Sequence, residues 1–122
     1  MKRVLVVDDS PTTRALIVSA IEEMEGFDTI EAPNGFEALK RIPIQPLDLI
    51  VTDINMPDIN GLEIVHFVKH HPDFRAIPLI IVSTEGSDED VRRGLNLGAS
   101  AYVKKPFDPE HLQATIRRLV AT

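Results

Sequence analysis

Asp8, Asp9, Asp53, Ser83, Thr84 and Lys105 stand at or just beyond the ends of short apolar runs, and together they offer three carboxylates, two hydroxyls and one ammonium. Carboxylates gathered within a few ångströms repel one another and lift at least one pKa unless a cation neutralises them. A hard divalent ion is the natural remedy. Mg²⁺ suits few carboxylates better than Ca²⁺ does, because it keeps several waters and so leaves positions for an incoming oxygen ligand. Lys105 would add a fixed positive charge, and Ser83 a hydroxyl donor, toward the same oxygens. Singly, each residue has an ordinary structural use. Asp8 and Asp9 favour the positive end of a following helix, Asp53 can close an Asx turn ahead of Met56-Pro57, and a lone hydroxyl or lysine says little. Their joint placement at successive run ends points to a site, since the ligand crevice of an open α/β sheet lies at the carboxyl ends of its strands.

The runs that would position these residues cover 4–7, 49–51, 79–82 and, more weakly, 101–103. They are rich in β-branched residues and do not alternate with polar ones, the pattern of strands buried on both faces. Residues 28–32 are more polar and read as an edge strand. Between the runs lie amphipathic segments with capping chemistry. Ser10-Pro11 opens a helix whose apolar face is Leu16, Ile17, Ala20, Ile21 and Met24, ending near Gly26. Asn34 with Glu37 resembles a capping box ahead of Phe36, Leu39 and Ile42. Leu62, Val65 and Val68 form a third stripe, Val91 and Leu95 a fourth ending near Gly98, and Leu112, Ile116 and Leu119 a fifth opened by Asp108-Pro109. Strict βα alternation with short connections implies right-handed crossovers and a parallel sheet with helices on both faces, in three α/β/α layers. Residues 43–46 and 71–78 read as ordinary loops.

The chain has 122 residues, 43% of them hydrophobic, which fits one domain over 1–122. Its formal charge of −6 argues against nucleic-acid binding, which draws its affinity from Lys and Arg on phosphates. Without cysteine, disulfides and thiolate sites are excluded. Only four apolar residues follow Met1-Lys2-Arg3 before Asp8, so no secretory leader is expected. No run approaches the about 18 apolar residues of a membrane span. A monomeric cytoplasmic protein is the expectation. His66, His70, His71 and His111 lie on or beside helices and read as solvated surface.

Four blocks carry a resemblance across the whole chain: Val6-Val7-Asp8-Asp9-Ser10; Thr52-Asp53-Ile54-Asn55-Met56-Pro57 with Gly61; Val82-Ser83-Thr84-Glu85; and Gly98-Ala99-Ser100-Ala101-Tyr102-Val103-Lys104-Lys105-Pro106-Phe107. Together and in this order they resemble the response-regulator receiver family, in particular its single-domain, CheY-like members. The resemblance implies a doubly wound, flavodoxin-like sheet of five parallel strands in the order 2-1-3-4-5 with five helices. It implies Asp53 as phosphoacceptor, Asp9 coordinating Mg²⁺ directly and Asp8 largely through water, and Asn55 offering its backbone carbonyl to the metal. Ser83 and Lys105 would contact the phosphoryl group, and the Lys105-Pro106 bond would be cis. Strand alternation lets only one of Lys104 and Lys105 enter the site, and the lysine before proline is chosen. Ser83 and Tyr102 would form the conformational switch, while Asn55, Thr84 and Glu85 would modulate rates. Thr84 departs from the alanine or glycine usual there and would narrow access to the phosphoryl group.

What the resemblance implies is a two-component signalling switch that takes its phosphoryl group from a histidine kinase or phosphotransfer protein and alters binding to a target protein, in chemotaxis or motility among other pathways. It is not an enzyme in the ordinary sense, although it would promote its own phosphoryl transfer and loss. A phosphorelay intermediate, a phosphate sink or a receiver cut from a longer protein are the alternatives within that class. An aspartyl phosphohydrolase would carry a second acid two positions after Asp53, where Asn55 stands. An FMN carrier would need a hydroxyl- and glycine-rich loop after the first strand, and Asp8-Asp9-Ser10-Pro11 would repel its phosphate.

Overall fold

Apolar runs and capped segments fold as alternating strands and helices in this computed structural model, which describes residues 1–84 and 88–120. In chain order they are β1 (Lys2–Val7), α1 (Pro11–Glu22), β2 (Phe27–Ala32), α2 (Gly35–Arg41), β3 (Leu49–Asp53), α3 (Gly61–Lys69), β4 (Leu79–Thr84), α4 (Asp88–Leu97), β5 (Ala101–Lys105) and α5 (Pro109–Leu119). The five strands form one sheet in the order β2-β1-β3-β4-β5. Every pairing is parallel, with Val7 opposite Thr52, Asp53 opposite Val82 and Thr84 opposite Lys105.

Each apolar run feeds two cores, because successive side chains of a strand point to opposite faces. Val4, Val6, Leu49, Val51, Ile80 and Val82 join Ile17 and Ile21 of α1 and Leu112 and Ile116 of α5. Their neighbours Leu5, Val7, Ile50, Leu79 and Ile81 join Ala38 of α2, Ile64, Val65 and Val68 of α3 and Val91 of α4. Nearly all are fully buried. Burying one such side chain stabilises the fold by about 1.5–3 kcal/mol, so the central strands are the least deformable part of the molecule.

The helices start where their sequences cap them. The Ser10 hydroxyl accepts from the Thr13 amide at 3.3 Å, Asn34 from Glu37 at 2.8 Å, Asn60 from Glu63 at 3.1 Å and Asp108 from Glu110 at 3.0 Å. Each such cap is worth about 1 kcal/mol. Gly98, with φ of +118°, follows the α4 segment in a conformation that side chains avoid.

Three residues assigned to core-facing stripes lie outside them: Leu16, Phe36 and Leu95 are 58%, 61% and 39% exposed. A helix laid on a sheet buries a narrow stripe, here Ile17, Ala20 and Ile21 of α1, and a neighbour one position away points about 100° off it. Phe36 lies on the outer side of α2, where the Lys40 ammonium sits 5.2 Å from its ring centre. Gly94, not Leu95, faces the sheet, and a methyl group there would collide with Ile81.

Candidate functional site

Parallel pairing brings all strand carboxyl ends to one edge of the sheet, and the polar residues converge there. Asp8 follows β1, Asp53 ends β3, Ser83 is the fifth residue of β4 and Lys105 ends β5. The Lys105 Nζ lies 3.1 Å from Asp8 Oδ2 and 3.4 Å from Asp53 Oδ2. Asp8, Asp9 and Asp53 each offer a carboxylate oxygen within 4.8 Å of the others. Lys104 points outward and is exposed, as strand alternation requires. The Lys105-Pro106 bond is cis.

Burial sets the electrostatics. Asp8 is fully buried, Asp53 is 4% exposed and Ser83 1%, whereas Asp9 stands at the solvent edge. Burial pushes the Asp53 carboxyl above the usual carboxylate range, and the nearby Asp8 charge adds to this; Lys105 and the Asn55 amide pull it back only in part. Among the described residues, the Lys105 ammonium is the one cation paired with this cluster, and it reaches two of the three carboxylates. The mismatch leaves a mark in the hydrogen bonding, since Asp53 Oδ1 is buried without a partner. An unpartnered buried anion oxygen beside two further carboxylates is the donor set of a hard divalent cation. The residues present fit such an ion.

The cluster is held from behind. Asp8 Oδ1 accepts from the Ser10 amide at 2.9 Å, and the Asp8 carbonyl accepts from Arg14 Nη1 at 2.7 Å. Gly61 starts α3 so close to Asp53 that any side chain there would collide with the Asp53 carbonyl. Arg14 and Gly61 both shape the site. Gly61 lies in the motif that the sequence displays, whereas nothing in residue spacing singles out Arg14.

The other predicted residues are spread around this centre. Ser83 is buried one position beyond the Asp53–Val82 pair, Thr84 is exposed at the rim, and Asn55 is exposed in the β3–α3 connection. Glu85 lies outside the described residues. Tyr102 is 46% exposed on the edge strand β5, paired with Ile81 and so on the same face of the sheet as Ser83. His66 and His70 are exposed, with their rings stacked 4.0 Å apart. His71 departs from the expected solvated surface: it is half-buried and stacked on Phe74 at 4.2 Å.

A doubly wound sheet with a buried aspartate pair at the carboxyl ends of the adjacent strands β1 and β3, bridged by a lysine from its edge, defines a class of α/β signalling modules. The response regulator receiver domain matches residues 4–117, and the chain belongs to that family. It is 35% identical over 121 residues to the chemotaxis protein CheY1 of Helicobacter pylori, covering 98% of each chain. The gliding motility regulatory protein of Myxococcus xanthus is 42% identical over 118 residues, 96% of this chain but 15% of that protein. Among solved structures, chemotaxis protein CheY4 of Vibrio cholerae superposes with a TM-score of 0.90 at 33% identity, over 98% of this chain and 99% of the other. Receiver domains are signalling modules that interact with a histidine kinase or phosphotransfer protein. Among the described residues no helix is long and apolar enough to cross a membrane.

Proposed function

We propose that the receiver unit spans residues 1–122 and that Asp53 accepts a phosphoryl group from the phosphohistidine of a partner. A single observation carries this reading: the ammonium of Lys105, whose side chain is only 15% exposed, is shared between the buried Asp8 and Asp53 carboxylates and still leaves one Asp53 oxygen without a partner. An Asp53 oxygen forms the new P–O bond as the P–N bond to the donor imidazole breaks, and the electron pair returns to that nitrogen, which takes up a proton. Asp8, Asp9, Asp53 and the Asn55 carbonyl would hold Mg²⁺, which when bound neutralises carboxylate and phosphoryl charge. Lys105 holds its charge against the phosphoryl oxygens, and the Ser83 hydroxyl donates to them. Ser83 thereby moves toward Asp53, and Tyr102 turns inward on β5, so the surface of α4, β5 and α5 changes for a target protein. Asn55, Thr84 and Glu85 line the approach of water and set how long the acyl phosphate lasts. The named relatives in chemotaxis and gliding support a motility output.

The test is phosphorylation by a small-molecule phosphodonor with Mg²⁺. Wild type should gain acid-labile phosphate and Asp53→Asn none; unchanged incorporation in that variant would refute the assignment. Target binding with and without beryllofluoride should separate the switch from the chemistry. Ser83→Ala and Tyr102→Ala should each lose most of the activation-dependent gain in affinity.

A further inference from the structure

Asp9 is the one carboxylate of the cluster at the solvent edge, and its neighbour is held at every polar atom. The Asp8 amide donates to the Ala32 carbonyl at 3.3 Å, Oδ1 accepts from Ser10 and Oδ2 from Lys105. The remaining atom, the Asp8 carbonyl, belongs to the Asp8–Asp9 peptide unit and accepts from Arg14 Nη1 at 2.7 Å. A peptide unit is planar, so fixing the direction of its carbonyl also fixes the Asp9 N–H and the Asp9 Cα. Arg14 is in turn gripped from the far side: its Nε donates to Glu31 Oε1 at 2.9 Å, from the edge strand β2. The Arg14 side chain is 18% exposed and that of Glu31 50%, so the arginine is packed in place while its partner reaches it from the surface.

We infer that Arg14 is a positioning residue for the cation site, that it sets Asp9 through the Asp8–Asp9 peptide, and that Glu31 orients Arg14 for this task. The inference rests on the proposed cation site and adds two residues to it. The planar fork suits the role, since Nη1 engages the carbonyl while Nε engages the carboxylate in one fixed geometry; a lysine offers a point charge on a flexible stem and does not hold the two partners at that set angle. Groups behind a ligand commonly change metal affinity by about 10–100-fold when removed.

Charge alone makes the opposite prediction for Arg14. A guanidinium beside an anionic cluster disfavours a cation, so its loss would strengthen Mg²⁺ binding if electrostatics were its only role. Positioning requires its loss to weaken binding. For Glu31 both readings predict weakening, but only positioning makes that effect depend on Arg14.

The experiment is a Mg²⁺ titration of the full chain, followed by the amide resonances of Asp9 and Asp53, with thermal unfolding of the cation-free protein as the control for folding. Arg14→Met should weaken Mg²⁺ by about tenfold, Arg14→Lys by less, and Glu31→Ala by a few-fold. In the Arg14→Met background Glu31→Ala should add nothing further. Tighter or unchanged Mg²⁺ binding in Arg14→Met overturns the inference, and so does an effect of Glu31→Ala that persists undiminished in the double variant. If Arg14→Met fails to fold, Arg14→Lys with Glu31→Ala carries the same comparison: weakening by Glu31→Ala must shrink when lysine replaces arginine. Absence of Mg²⁺-dependent shifts in wild type would instead defeat the cation site itself.

Discussion

Arg3 and Lys105 each hold a pair of aspartates, one at the amino end of the sheet and the other at its carboxyl end. At the amino end both aspartates are hydrogen-bonded to Arg3 near the surface. Arg3 grips Asp28 with two nitrogens, at 3.1 and 3.3 Å, and Gln45 with a third at 2.9 Å, while its own amide donates to Asp48 at 2.8 Å. The hydrogen bond from Arg3, with its charge, holds the Asp28 carboxyl below the usual carboxylate range. At the carboxyl end Asp8 and Asp53 are buried and share the single ammonium of Lys105, and Asp53 is pushed the other way. The same residue types thus serve opposite ends: at the amino end they complete a surface, and at the carboxyl end they keep an unmet demand for positive charge.

The sharpest way to break this contrast is to remove each cation. Lys105→Met leaves Asp8 and Asp53 buried without a counter-charge and should cost about 3 kcal/mol in urea unfolding at neutral pH without divalent ions. Supplying the missing charge should act in the opposite direction. Mg²⁺ at a hundred times its dissociation constant should stabilise wild type by about 2.7 kcal/mol, and Asp53→Asn by much less, read from the same unfolding curves.

A smaller effect follows from pH. Because the folded state raises the Asp53 pKa, it keeps that proton to higher pH than the unfolded chain does. Stability is then fullest below the unfolded carboxylate pKa and is lost as pH rises through the folded one. Asp53→Asn should therefore raise the cation-free melting temperature by a few degrees at pH 7 and leave it unchanged at pH 3. Asp28 should show the reverse slope. Its folded pKa is lowered, so its contribution is present above the unfolded pKa and is lost as pH falls through the folded one. Arg3→Met or Asp28→Asn should change stability least of all, since the pair is solvated and screened by salt. A stability loss for Arg3→Met as large as that for Lys105→Met would end the contrast.

Much of this arrangement is legible in the residues. Runs such as 4–7 and 79–82 are apolar at every position because both faces of their strands are covered, and that pattern alone implies a parallel sheet under two helical layers. Strand ends carry the polar residues, so Asp8, Asp53, Ser83 and Lys105 converge once the strands are parallel. Helix faces are less legible at their margins. Leu16 and Phe36 are apolar but sit beside the stripe that packs, and hydrophobicity cannot tell a stripe from its border. Arg14 and Glu31 are hidden for another reason. They meet across 17 residues between a helix and an edge strand, where no period or motif links them. The unmet charge at Asp53 is likewise a property of burial depth, which composition does not contain.

Lys105 reaches Asp8 across 97 residues of chain, from the edge strand β5 to β1, with β3 and β4 between them. Contacts of such long sequence separation form only after the intervening loops have been closed. On the proposed function, the ammonium reaches the acceptor only when β5 has docked, so the site that receives the signal is complete only in a chain whose sheet is complete.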